Sequence, residues 1–324
     1  MPSRSRKSPR ASGGKNNRGS YSIFLVIIGI AVAALINFVG RDPISDFFGL
    51  SDKPIVSRAA EGTVQVHFID VGQGDCAFVL TDESAVLIDG GDSQYADTVI
   101  QYIRRLGVET LDLIIVSHPH ADHMGGMGQI IEAVNPDMLI MSQIPDEHVP
   151  TTNAFMRMLD AVEAHSVDID YARAGDIFTF GDAVFEIIAP EAGFGFVGIN
   201  NSSVVVRLNH GDNSFLFTGD IESEAEDYIL ESGADIMADV LKVAHHGSAT
   251  SSGRGILSAV NGTYAVISVG SPNRYNHPND DVVRRIAGAG YEILRTDRSG
   301  TIVFESNPDG LLNIISDIIL EETA

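Results

Sequence analysis

Six consecutive residues, His118-Pro119-His120-Ala121-Asp122-His123, constrain this chain more than any other feature. Four of them carry metal-ligating side chains. The apolar run Leu111–Val116 just before them reads as a buried strand, Ser117 follows, and Met124–Val134 reads as a helix. The ligands therefore fall on a strand-to-helix loop, where α/β proteins build sites. Imidazole and carboxylate together suit zinc, manganese or iron.

Three other strand-like runs end on residues of the same chemistry. Val64–Ile69 ends at Asp70, Phe215–Thr218 leads through Gly219 to Asp220, and Val240–Ala244 runs into His245-His246-Gly247-Ser248. With the six-residue cluster, these resemble the motif series of the metallo-β-lactamase superfamily, four of its five motifs standing in order. The fifth departs. Where the superfamily places one more histidine before a strand, this chain has Asn200-Asn201-Ser202-Ser203 ahead of Val204–Leu208. Between the cluster and Asp220 the histidines are His148, His165 and His210. His165 closes an apparent helix, and His210 falls in an expected hairpin turn, Asn209–Ser214.

That departure narrows the likeness. Asp70-Val71-Gly72-Gln73-Gly74-Asp75, the Asn201-Ser202 pair, Thr218-Gly219-Asp220 and His245–Ser248 resemble the hydrolase domain of the ComEC/Rec2 competence proteins. So do Gly270–Pro278 and Arg295–Gly300, and the likeness runs over residues 63–306. It implies a four-layer αββα sandwich and a hydrolase that uses two divalent ions, Zn²⁺ or Mn²⁺. By position, His118, His120 and, weakly or through water, Asn201 would hold one ion. Asp122, His123 and His245 or His246 would hold the other, with Asp220 bridging. Asp70 would stand behind these ligands and orient one of them. Of the adjacent pair, one is expected to ligate and the other to face substrate or pack, because neighbouring side chains at a strand end point apart; His245 is taken as the ligand and His246 as the catalytic member, with the reverse left open. Asp122, His246, His277 and Lys242 complete the catalytic set, His277 as a proton donor to the leaving group. Lys242 is read either as a phosphate ligand or as an ordinary ion pair. The resemblance further implies a stand-alone hydrolase domain rather than one fused to the multi-helix channel of full-length competence proteins.

The N-terminal segment has its own pattern. Residues 1–20 hold six Lys or Arg and no acid, among Ser, Gly and Asn, and read as a disordered basic tail. Tyr21–Val39 follows, nineteen residues without a charge, and about 20 apolar residues cross a bilayer. Basic residues before it and acids after it place the tail in the cytoplasm and the domain outside. The expectation is a single-pass membrane anchor over 21–39, with secretion after cleavage as the alternative. A linker over 40–62 and the hydrolase domain over 63–324 follow. The single cysteine, Cys76, precludes an intrachain disulfide and reads as a core residue.

Charge bears on the substrate. The chain has 21 basic and 44 acidic residues. Without the six cations of the tail, 15 basic face 44 acidic ones, a net −29. Such a surface repels polyanions at a distance and counts against an avid, nonspecific nucleic-acid binder. It does not exclude a nuclease, because metals and a local basic patch can hold a phosphate, and Lys242, Arg254, Arg274, Arg295 and Arg298 fall near site motifs or in the C-terminal third. The leading expectation is a phosphodiesterase or nuclease acting on DNA or another phosphodiester, with a separate channel protein as a possible partner. Hydrolysis of small acyl compounds (β-lactams, lactones or thioesters) is the alternative, and a non-catalytic, metal-stabilised surface module the third reading.

Overall fold

The computed structural model describes residues 59–144, 149–191 and 197–316. The basic tail, the expected span 21–39, most of the linker, His148 and residues 317–324 lie outside the described residues. Among the described residues, no helix is long and apolar enough to cross a membrane.

The described strands form two sheets. One contains β1 (Val64–Phe68), β2 (Ala77–Leu80), β3 (Ala85–Ile88), β4 (Leu113–Val116), β5 (Met138–Met141) and β6 (Asp168–Tyr171), joined by β14 (Ile302–Ser306) and β15 (Leu312–Ser316). Its spatial order is β15-β14-β1-β2-β3-β4-β5-β6. The other holds β7 (Ile177–Phe180), β8 (Ala183–Ala189), β9 (Val205–His210), β10 (Asn213–Phe217), β11 (Val240–Lys242), β12 (Tyr264–Ile267) and β13 (Glu292–Arg295). These stand in the order β13-β12-β11-β10-β9-β8-β7.

Each sheet opens with antiparallel pairs and turns parallel. In the first, β3, β4, β5 and β6 run parallel; in the second, β10, β11, β12 and β13 do. Parallel neighbours need a crossover, and helices supply it. The first sheet uses α1 (Ala96–Arg105), the single-turn α2 (Ala121–Met124), α3 (Met127–Val134) and α4 (Asn153–His165). The second uses α5 (Ser223–Ser232), α6 (Arg254–Val260) and α7 (Asp280–Gly288), with the short α8 (Thr296–Ser299) after β13.

Side chains alternate across each strand, so a strand buried on both faces feeds two cores. In β4, Leu113 and Ile115 pack between the sheets with Phe185, Val206, Phe215 and Phe217. Ile114 and Val116 face the other way, onto Val99, Ile103 and Ile130 of α1 and α3. On the far side, Leu216 and Leu241 pack against Ile229, Ile256 and Ile286 of α5, α6 and α7. The layers therefore run helix, sheet, sheet, helix, the α/β sandwich implied by the motifs. Cys76 is buried just before β2.

The parallel strands fix the site. Asp89, His118, Asp220, His245 and the 268–279 loop all follow the carboxyl ends of β3, β4, β10, β11 and β12, where open α/β sheets collect ligands. One expectation shifts here. The helix predicted from Met124 starts at Met127, because Gly125 and Gly126 form a close crossing instead. A Cβ on Gly125 would stand 2.3 Å from the Ala121 carbonyl oxygen, and one on Gly126 2.8 Å from that of Gly90.

Candidate metal centre

β4 delivers the six-residue cluster to the end of the first sheet. His118 is buried, with Nδ1 3.1 Å from Ser117 Oγ and 3.3 Å from Ser203 Oγ, leaving Nε2 turned to the site. His123 is buried as well; its Nδ1 is 2.8 Å from Asp89 Oδ2, and its Nε2 lies 3.2 Å from Asp220 Oδ1. Asp89 is itself pinned, accepting from Ser117 N–H at 2.8 Å and Ser117 Oγ at 2.6 Å. His120 is exposed at the rim, its Nδ1 3.0 Å from His118 Nε2.

The second sheet brings the other half. Asp220 is buried, and its carboxylate oxygens lie 3.2 Å from His123, 3.8 Å from His118, and 3.7 Å from each of His245 and His246. Four imidazoles thus surround one carboxylate. His245 and His246 do not continue β11, which ends at Lys242. Both adopt left-handed backbone, φ 50° and 52°, and this curl turns both rings inward instead of apart as on a strand. His246 is the buried member: its Nδ1 is 2.9 Å from the Ser268 carbonyl oxygen and 3.2 Å from Asp75 Oδ1, and its Nε2 lies 3.4 Å from Asp122 Oδ2. His245 is partly exposed and leans on Glu222 (3.4 Å) and Thr250 (3.3 Å). His246 groups with Asp122 and His123 as close ligand atoms, while His245 stands at the same 3.7 Å from Asp220 and lines the cleft with it.

Three other expected site residues sit elsewhere. Asn201 spends its amide on the 197–224 region: Nδ2 donates to the Val197 carbonyl and to Glu224, and Oδ1 accepts the Glu222 N–H at 2.8 Å. It braces the loop before β9 and is not aimed at the histidines. Asp70 accepts the Gly72 N–H at 3.0 Å and so stabilises its own turn, holding no ligand. Lys242 is buried in an ion pair, Nζ 2.6 Å from Asp75 Oδ2, and donates to the Val243 carbonyl. It is withdrawn from substrate. The residues that do orient imidazoles are Asp75 and Asp89, which sequence reasoning missed. Asp89 follows a strand as Asp70 and Asp220 do, and Asp75 closes the quoted Asp70–Asp75 segment. That segment can lie against the ligand loop because a Cβ on Gly74 would meet the Asp122 carbonyl oxygen at 2.4 Å.

Over the cluster lies a cleft of about 300 Å³, walled in part by Gln73, His120, His245, Tyr275 and His277. The remaining histidines are outside it. His67 is buried against Tyr102 (2.8 Å), and His165 ends α4 beside Asn135. His210 ends β9, buried and 2.7 Å from Ser306 Oγ, rather than occupying a turn.

The donor set fits divalent metal. Among the described residues four groups of close ligand atoms include His118, His120 and Asp220, and Asp122, His123 and His246; a third, Asp75, Asp220 and His246, joins Asp220 to the second set. Asp220 Oδ1, His123 Nε2 and His246 Nε2 are buried without a well-aligned hydrogen bond, meeting only one another and Asp122 at ion-pair distance, an arrangement that a cation would satisfy. His118, His123 and His246 each tie down Nδ1 and present Nε2, the pattern of oriented metal-binding histidines. Charge agrees. Burial alone would lower His246, but Asp220, Asp75 and Asp122 outweigh it and push it up to about 10. His123 is likewise raised well above its ordinary value, burial being overcome by Asp220 and Asp89. The carboxylates demand positive charge here. His277 goes the other way, lowered to about 4 by burial and then by His246 and His245.

Comparison with known proteins agrees with this geometry. The profile of the metallo-beta-lactamase superfamily matches residues 69–271. The chain is 32% identical over 263 residues to ComE operon protein 3 of Bacillus subtilis, covering 74% of this chain and 33% of that one. It is 29% identical over 246 residues to competence protein ComA of Neisseria gonorrhoeae, 75% of this chain and 32% of that one. A shorter match, 27% over 168 residues, is to exodeoxyribonuclease YycJ of Bacillus anthracis, 50% of this chain and 60% of that protein. The chain spans about a third of the length of the first two of these relatives.

Proposed function

The chain belongs to the metallo-β-lactamase superfamily, and from that premise we propose a phosphodiesterase or nuclease that uses two divalent ions, Zn²⁺ or Mn²⁺. The observation that carries the reading is Asp220, a buried carboxylate between two ligand groups. His118 and His120 would hold one ion with it, and Asp122, His123 and His246 the other. Such a pair lowers the pKa of water from about 15.7 toward about 7 and stabilises charge on attacked and leaving oxygens.

This chain's own residues do the rest. Asp89 and the Ser268 carbonyl lock the His123 and His246 rings, and Asp75 holds His246 while Lys242 balances its charge. His277 lines the cleft beside His245 and His246, and burial with those two imidazoles lowers its pKa to about 4. From the cleft wall it would meet the leaving group. Similarity to a protein named as an exodeoxyribonuclease and to competence proteins supports a nucleic-acid substrate. The uncharged run 21–39 behind a basic tail supports a membrane anchor with the domain, from residue 63 on, outside the cytoplasm. A separate channel protein is the partner such a domain would serve.

The test uses the purified full chain, stripped of metal and reloaded with Mn²⁺ or Zn²⁺. Bis-p-nitrophenyl phosphate and single- and double-stranded DNA are offered beside an Asp122→Ala variant. Metal-dependent cleavage that drops at least ~100-fold in the variant, with thermal unfolding preserved, is expected. Metal bound with no phosphodiester cut would sink the reading and turn attention to acyl substrates.

A further inference from the structure

None of the residues lining the cleft is a lysine or arginine. Lys242 lies beneath it, neutralised by Asp75. A single phosphodiester seated on the metals would need nothing more. A nucleic-acid strand also carries its neighbouring phosphates past the rim of a domain whose net charge is strongly negative. Each of those phosphates meets repulsion unless a cation receives it.

Arg274 stands at that rim. It is exposed on the loop between β12 and α7, next to Tyr275, which does line the cleft. Its guanidinium lies 4.9 Å from the centre of the Tyr275 ring, and Nη2 donates to the phenolic oxygen at 2.7 Å. Among the described residues no carboxylate comes within 4.0 Å of it, whereas Arg207, Arg284 and Arg295 each pair with an aspartate. Of its five donors, one meets a neutral phenol and the fork stays open, a geometry matched to phosphate.

The position is also fixed. Tyr275 stacks on His277 at 5.7 Å, and the His277 ring is 5.4 Å from that of His245 and 6.3 Å from that of His246. Asn273 staples the loop from inside: Nδ2 donates to the Gly270 and His277 carbonyls, and Oδ1 accepts the Tyr275 and His277 N–H groups. A ladder of rings thus runs from the metal ligands to the guanidinium, which is held outward of the reacting phosphate.

We propose that Arg274 receives the phosphate adjoining the scissile one, so that the substrate is a polynucleotide strand rather than an isolated phosphodiester. The inference rests on the phosphodiesterase reading above. Tyr275 acts as a positioning residue that presents the guanidinium.

The experiment compares two single-stranded oligothymidylates with the Mn²⁺-loaded full chain. One has phosphodiester linkages throughout; the other alternates them with uncharged methylphosphonates, so every cleavable linkage has neutral neighbours. The wild type should cleave the fully charged strand at least about tenfold more efficiently per cleavable linkage, the effect of one charge-assisted hydrogen bond. Arg274→Ala should erase that preference by slowing cleavage of the charged strand, and Arg274→Lys should retain part of it. Equal cleavage of the two strands by the wild type overturns the subsite alone. So does an Arg274→Ala variant that loses both activities in proportion, the mark of a structural role. Failure to cut either strand overturns the phosphodiesterase reading and the subsite with it.

Discussion

Replacing Lys242 by Met separates a buried structural lysine from one that meets substrate. Nζ lies 2.6 Å from Asp75 Oδ2, and both side chains are nearly inaccessible to water. Removing one partner of such a pair costs about 3–5 kcal/mol, because the other is left buried and charged. Asp75 keeps a second contact, His246 Nδ1 at 3.2 Å, so the expected cost is at the lower end, about 3 kcal/mol. At about 2–4 °C per kcal/mol for a domain of this size, unfolding should move down by about 6–12 °C. Met keeps the aliphatic volume in β11, which confines the loss to charge. The assay is thermal unfolding of metal-free Lys242→Met, Asp75→Asn and the double variant. The double should cost about 1–3 kcal/mol less than the two singles added together, since they break one interaction. Refutation would be a Lys242→Met protein within about 0.5 kcal/mol of wild type, with additive singles. A lysine reaching a substrate phosphate would instead leave stability intact and weaken the salt dependence of DNA binding.

Two other outcomes follow from side chains away from the ligands. Asn201→Ala should leave metal stoichiometry unchanged while lowering stability by about 1–3 kcal/mol, because the Glu222 N–H loses its acceptor; loss of one metal equivalent by elemental analysis would make Asn201 a ligand after all. Buried His67 is lowered to about 3 because burial penalises its charged form, whereas the unfolded chain takes up the proton near 6.5. Stability should therefore fall as pH drops from 6.5 toward 3, by up to about 1.4 kcal/mol for each unit. His67→Phe should remove that component from the pH dependence of unfolding, and an unchanged slope would contradict it.

The sequence revealed most where chemistry and periodicity coincide. β4 and the cluster after it could be placed because Leu113–Val116 is apolar throughout, as a strand buried on both faces must be. Asp220 was legible for the same reason. What escaped depends on tertiary context. β6 is an edge strand with all four residues exposed (Asp-Ile-Asp-Tyr), so burial wrote no pattern into it. β7 and β13 have no fully buried residue, and α6 is a short helix of seven residues. The inward curl of His245 and His246 rests on two left-handed residues that no periodicity announces. Asn201 and Asp70 were assigned by position in a motif series, yet hydrogen bonding within their own loops decides where they point. Asp89 orients His123 from 34 residues away in sequence, a partnership created only when β3 pairs with β4.

The most direct measurement is an anomalous diffraction map of crystals of the chain loaded with Mn²⁺. Two peaks should flank the Asp220 carboxylate, one against His118 and His120, the other against Asp122, His123 and His246, with Asn201, Asp70 and Lys242 bound to neither. A single peak, or peaks away from Asp220, would contradict a carboxylate shared between two ions.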